Sequence, residues 1–537
     1  MGDLAARRQS GNLRSWIFAM LLLEAFFIAI SPVIAEISLG VGLLLWLIRL
    51  KRDPSSRYFR RLPFDLPLGI FVLIGAVSIL VSPDKGFSLY NYSNLVLVYL
   101  FTYLLAGQNI RNRDDVIKLV KVLFASAAIS VLYGFYQFVF GIDTVDMKWV
   151  DGDAFPWLRK RIFSTWINPN IFAGYLDIMI ALAFGFMVKL RIDRRTRMII
   201  AACIVAMAAC LAMTYARGAF LVMAFVLICY GLLRDWRILL GCVAVIALAF
   251  AIEPSFFERI SSAFTHMDTS MEMRTALWES TVAMIEDHPF LGIGWGAYYL
   301  VYPDYNFYLQ DDSVYHIVHG HSMYLNYAAE IGIAGALAFF WYLFGTMLMA
   351  FRSKAHDAQG FTDGLMLGVG LALATVALNG IPDDLLFNFP SSMLLWLICA
   401  MASAVHTNWN KSVSDMAMDN DKQSDVKANV VELFSDDDSI ESNVVSVNTS
   451  SDQPASSDDH AIEEDKTSPG LDEIQDDVKD PSDGDAHEDI LGADSNDIED
   501  DELLKDKTAE ELSSDNEPAD GSTDKDIMTD ENGQKEG

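Results

Sequence analysis

The chain has 537 residues, 52% of them hydrophobic, and a formal net charge of −32. From Lys411 onward 41 Asp and Glu face nine Lys, an excess of 32 that equals the charge of the whole chain. Residues 1–410 are therefore neutral overall, which excludes any argument for a cationic partner from the global charge; no nucleic-acid partner is expected.

Residues 1–410 read as an all-α integral membrane domain with about 12 transmembrane helices. A helix crosses a bilayer with roughly 17–25 apolar residues. Such runs lie near 15–31, 33–50, 66–82, 90–106, 117–140, 168–189, 198–215, 218–233, 238–252, 322–350, 364–380 and 392–408. The first run lacks a small-residue cleavage site and leads at once into the second, so it is read as an uncleaved helix. The five cysteines (Cys203, Cys210, Cys229, Cys242 and Cys399) all sit in apolar runs, as small hydrophobes rather than a disulfide or metal framework. Beyond residue 410 there is no aromatic after Phe434, and Asp, Ser and Glu dominate. Residues 411–537 are thus expected to form a disordered acidic tail.

Lys and Arg fix the expected orientation. Arg7, Arg8 and Arg14, then Arg49 to Arg61, Arg111 and Arg113, Lys189 to Arg197, Arg234 and Arg237, and Arg352 with Lys354 fall in every second loop. Both termini are therefore expected in the cytoplasm of a bacterium, with the chain in its inner membrane. Two long loops, about 142–167 and 253–320, then face the periplasm. Long loops with their own charges and aromatics are where function concentrates.

The polar motifs cluster on that expected periplasmic face. The first long loop closes on Arg161 and Asn168-Pro169-Asn170, where Asn168 reads as a helix cap with Pro169 in the first turn. Ala216-Arg217-Gly218 follows between two spans. The second long loop holds Arg274 and Trp278, then His288-Pro289 with Gly292 and Gly294, and ends in His319-Gly320-His321-Ser322 with Leu325. Glu330, Gly332 and Gly335 come next, and the same 322–350 span would place Glu330 about two and a half turns below His321. An ionisable group at that depth should face the bundle interior. Glu24, Glu36 and Asp177 are further intramembrane acids with no assigned role.

This set, in this order, resembles the O-antigen ligase family, with its related polysaccharide polymerases and protein O-oligosaccharyltransferases. The likeness covers residues 160–340 and the spans around them. Ala216 stands where the family commonly has Ser, and Ser322 where it commonly has Asn. The resemblance implies a glycan donor on undecaprenyl pyrophosphate and transfer to an acceptor hydroxyl at the periplasmic face. Arg217 and Arg274 match arginines that would clamp the pyrophosphate. Arginine suits the task, because its planar fork donates bidentate hydrogen bonds and stays charged.

His321 matches the family histidine at the acceptor hydroxyl, where an imidazole can take the proton as the oxygen attacks the anomeric carbon. Such a single displacement inverts the anomeric configuration. Arg161, Asn170, His319 and Glu330 are expected to line or support the substrate site, and His288 to shape a turn. No metal or other cofactor is expected.

Three alternatives stand beside this reading. A metal-dependent glycosyltransferase would use Asp151 and Asp153, although Asp-Gly-Asp in a polar loop more often forms a turn. A transporter or flippase of lipid-linked sugars fits the span count, but no internal repeat is seen and the polar motifs sit at one rim. Within the transferase reading the acceptor is open between lipid A–core, which the family layout favours, a growing glycan and a protein. Membrane lipid surrounds the chain in every case.

Overall fold

The computed structural model describes residues 2–53, 59–141, 161–252, 269–306, 317–353 and 359–408. The predicted tail, Asp151, Asp153, and parts of both predicted long loops lie outside these residues. Every long element among the described residues is helical. In chain order they are α1 Gly2–Phe27, α2 Pro32–Arg52, α3 Asp65–Ser78, α4 Lys85–Asn109, α5 Arg113–Phe140 and α6 Pro169–Lys189. There follow α7 Arg194–Met213, α8 Arg217–Arg234, α9 Trp236–Ile252, α10 Thr269–Asp287, α11 Met323–Arg352, α12 Phe361–Asn379 and α13 Phe389–Asn408.

Nine of these, among the described residues, are long and apolar enough to cross a bilayer. The other predicted spans fall on α1, whose first half is polar, and on the shorter α3 and α9. Large apolar side chains such as Leu132, Val139, Phe140 and Leu233 stand exposed, as a surface that meets lipid requires. The chain is a multi-pass helical membrane protein.

Helices α6 and α12 form the buried centre. They meet through glycines, since a Cβ at Gly185 would overlap the Gly364 carbonyl and the Gly368 backbone nitrogen. Small residues at such a crossing let two backbones approach, where dispersion and polar contacts replace the hydrophobic effect. Buried polar pairs tie helices across the bundle: Thr102 Oγ1 donates to Glu24 at 2.6 Å, and Asn379 Nδ2 to Asp177 at 2.7 Å. The five cysteines are free.

Helix α11 departs from the straight span expected over 322–350. It breaks at Gly332 (φ 73°, ψ 169°), and the short arm before the break folds back on the long arm after it. Tyr324 stacks on Phe340 at 4.6 Å and Tyr327 lies on Phe339 at 4.4 Å, although each pair is separated by more than about three turns of helix. Glu330 is therefore buried at the elbow and not two and a half turns below His321 in one continuous rod.

Candidate active site

One wall is built where α6 and α8 begin. Asn168 Oδ1 accepts from the Asn170 backbone N–H at 2.8 Å, capping α6 with Pro169 in its first turn as the sequence predicts. Asn170 Oδ1 in turn accepts from Arg161 Nη2 at 2.7 Å, while Arg161 Nε donates to the Thr214 carbonyl at 2.8 Å. Arg161 is only 8% exposed, so it is fixed rather than free to sweep. Gln137 pins the approach to this corner, its Oε1 accepting from the Phe163 and Ser164 N–H groups.

Across Thr214 the chain turns through Tyr215 (φ 53°) into Arg217, the first residue of α8. Ala216 occupies the cap position and offers no side-chain acceptor to the first turn. The N-terminal N–H groups of α8 thus add their partial positive charge beside the Arg217 side chain.

A second wall is the loop from His288 to Ala297, which plugs the break in α11. Ile293 N–H donates to the Ala329 carbonyl at 2.8 Å, Gly294 N–H to the Glu330 carbonyl at 3.0 Å, and Ile333 N–H to the Pro289 carbonyl at 3.0 Å. Glu330 Oε2 accepts from the Gly296 N–H at 3.0 Å. The glycines follow from geometry. At Gly292 and Gly332 φ is positive, and a Cβ would strike the backbone of Glu330 or of Phe290. His288 heads this turn, its backbone bonded to Met284 and Gly292. Glu330 thus clamps the loop to the elbow, a supporting part.

The third wall carries the titratable groups. Arg274 and Trp278 lie one turn apart on α10, and Trp278 Nε1 donates to the His321 carbonyl at 3.1 Å. Arg274 Nη2 is 3.7 Å from Asp383 Oδ2, and His321 Nδ1 is 3.1 Å from Asp383 Oδ1. His321 holds a positive φ of 47°, and its N–H donates to His319 Nδ1 at 3.2 Å. That bond makes His319 a brace for His321 and spends the His319 acceptor nitrogen.

The loop that bears Asp383 is itself held. The Met323 N–H bonds the Gly380 and Asp383 carbonyls, Asn326 Nδ2 donates to Asp384 Oδ2 at 3.1 Å, and the Asp384 N–H donates to Asp383 Oδ1 at 2.9 Å.

The electrostatics follow from this packing. Burial alone would raise the Asp383 pKa, but the His321 hydrogen bond and the nearby Arg274 charge outweigh it and hold the carboxyl well below its usual range. Asp384 goes the other way, raised to about 7 by burial and by repulsion from Asp383. His319 is pushed down to about 3 by burial, with the charges of His321 and Arg274 acting in the same direction. With Asp383 ionised, the neutral His321 ring carries its proton on Nδ1 and turns the Nε2 lone pair outward.

The first and third of these walls line one cavity of about 100 Å³. Arg161, Asn170, Arg217, Arg274, Asn379 and Asp383 line it. The predicted arginines, drawn from three separate segments, therefore share one space, with His321 bonded to its Asp383 edge. His319 and Glu330 do not line it.

Residues 202–340 match the O-antigen ligase family. No curated protein matches the chain. The matched stretch includes Arg217, Arg274, His319, His321 and the Gly332 elbow, and the family's members are glycosyltransferase-like enzymes. Arg161, the Asn168 cap and Asp383 lie outside the stretch.

Sequence reasoning missed Asp383, together with Asn326, Asn379 and Asp384. The signal was there: Asn379-Gly380-Ile381-Pro382-Asp383-Asp384 is a short polar break between two apolar spans. The alternation of loops places it on the same side as the arginines. His319, His321 and Asp383 also offer ligand atoms within 4.8 Å of one another, a spacing a metal ion could use. The Arg274 guanidinium beside Asp383 opposes a dication there.

Proposed function

We propose that this ligase-family protein transfers a glycan from undecaprenyl pyrophosphate to an acceptor hydroxyl at the periplasmic face of a bacterial inner membrane. Both chain termini then lie in the cytoplasm, the acidic tail over 411–537 follows the membrane domain 1–410, and lipid A–core is the preferred acceptor. The observation that carries the reading is the shared cavity. Three arginines and an uncapped helix start face a space whose far edge holds an Asp383–His321 pair.

A diphosphate leaving group gains charge as its bond to the sugar breaks. Fixed cations aimed at that charge, in a site poor in water, are among the largest catalytic effects available. Arg217 and Arg274 are the clamp, and Arg161, held by Asn170 and Thr214, adds a contact from the side. His321 Nε2 takes the proton of the acceptor hydroxyl as its oxygen bonds to the anomeric carbon. The carbon–oxygen bond to the diphosphate breaks on the opposite face, so the anomeric configuration inverts. Asp383 fixes the tautomer and stabilises the imidazolium without taking the proton.

A second reading, a metal-assisted transfer, is favoured by the clustering of His319, His321 and Asp383. A glycan polymerase or a protein O-oligosaccharyltransferase would share the machinery and differ in acceptor. One experiment separates these. Full-length protein in liposomes is given undecaprenyl-pyrophosphate glycan and lipid A–core, glycan or peptide acceptors, with and without excess chelator. Transfer that persists with chelator and falls at least about 100-fold in Arg217→Ala, Arg274→Ala and His321→Ala is expected. Loss with chelator alone moves the mechanism to the metal, and wild-type rates in all three variants overturn the site.

A further inference from the structure

Asp177 is fully buried in α6, and no step above uses it. Its Oδ2 accepts a 2.7 Å hydrogen bond from Asn379 Nδ2, on the last residue of α12. Asn379 is 5% exposed and lines the cavity that holds Arg161, Arg217 and Arg274. The Asn379 amide therefore lies with its nitrogen towards Asp177 and its carbonyl oxygen as the free end. Among the described residues nothing donates to that oxygen.

The remaining polar walls of the cavity are unlike Asn379. The guanidiniums and the first turn of α8 are donors, the Asn170 carbonyl oxygen already accepts from Arg161, and the Asp383 carboxylate is engaged by His321 and Arg274. A diphosphate presents acceptor oxygens, which an amide carbonyl repels. The group that meets Asn379 must therefore bring an O–H or N–H close to the phosphates without being one. In a glycosyl diphosphate that description fits the carbon next to the anomeric carbon, whose hydroxyl or acylamino substituent is the nearest donor to the phosphate bond.

We propose that Asn379, positioned by Asp177, accepts a hydrogen bond from that substituent and so selects the sugar attached to the diphosphate. The inference rests on the transferase reading above and adds a specificity contact to it. Asn379 touches the donor sugar; Asp177 acts through Asn379 alone.

The test compares two synthetic polyprenyl-diphosphate glycans, one natural and one with hydrogen in place of that substituent, using full-length protein in liposomes. Wild type is expected to favour the natural donor by roughly tenfold in kcat/KM, the worth of one hydrogen bond in a dry site. Asn379→Ala should lose that preference while keeping the wild-type KM for the acceptor. Asp177→Asn, which lets the amide rotate, should erode the preference too, and adding it to Asn379→Ala should change the preference no further. A merely structural Asp177 would instead lower Tm and leave the preference intact.

Equal use of the two donors by wild type overturns the proposal whatever the variants do, and so does a preference that survives in Asn379→Ala. If wild type transfers neither donor, the transferase reading falls and this one with it.

Discussion

Asp383→Asn is the sharpest perturbation the site allows, because it changes charge and leaves shape nearly untouched. Asp383 Oδ1 receives the His321 Nδ1 contact at 3.1 Å, and its Oδ2 faces Arg274 at 3.7 Å. An amide in its place can present either an oxygen or an NH2 to His321, so the Nδ1–H tautomer is no longer enforced. A hydrogen bond to a charged partner contributes about 1.5–3 kcal/mol. If it acts fully in the transition state, where the imidazolium forms, kcat should fall roughly 10- to 150-fold.

The partial exposure of both partners places the value towards the low end, and the looser contact with Arg274 adds little. The assay is glycan transfer in liposomes at saturating donor and acceptor, with Tm followed beside it. A loss under about threefold with an unchanged Tm would refute the pairing as a catalytic device. A loss matched by unfolding would assign Asp383 to structure.

Two further outcomes follow from the same region. The folded Asp384 pKa is raised to about 7 from an ordinary 3.8, so its share of stability is present in acid and lost as pH rises from about 4 through 7. His319, lowered to about 3, works in the opposite sense and loses its share as pH falls below its ordinary value. The difference between wild type and Asp384→Asn isolates the first effect: the variant should gain relative Tm between pH 4 and 8, worth at most about 4 kcal/mol, and a flat difference would refute it. Gly332→Ala must place a Cβ on the Phe290 carbonyl at positive φ, so destabilisation of at least about 2 kcal/mol is expected. A Tm within a degree or so of wild type would show that the elbow is not needed.

The membrane domain was legible because the bilayer enforces a coarse rule. Every backbone group must be bonded within the helix, so each span prints a long apolar run, and all the predicted runs coincide with helices. The elbow at Gly332 escaped because hydropathy averages over it. Residues on both sides are apolar, and a glycine in an apolar run gives no sign whether it packs a crossing, as Gly364 does, or carries a positive φ. Glu330 was misplaced in depth for that reason alone: counting turns assumes a rod.

Legibility of the site depended on whether a residue advertises its partner nearby in sequence. Asn168 and Asn170 could be read as a cap because capping is local. Arg217 and Arg274 could be singled out because they stand where the resembled family has arginines, in a run of motifs that keeps its order along the chain. Asp383 carried no such mark. An acid in a short loop is solvated by default, and its importance arises only from folding, which brings it to Arg274 more than 100 positions earlier and to His321. Two of the predicted residues change meaning in that light. His319 braces His321 through a backbone bond, and Glu330 locks the glycine loop into the elbow, so both hold the geometry on which the cavity's charged groups depend.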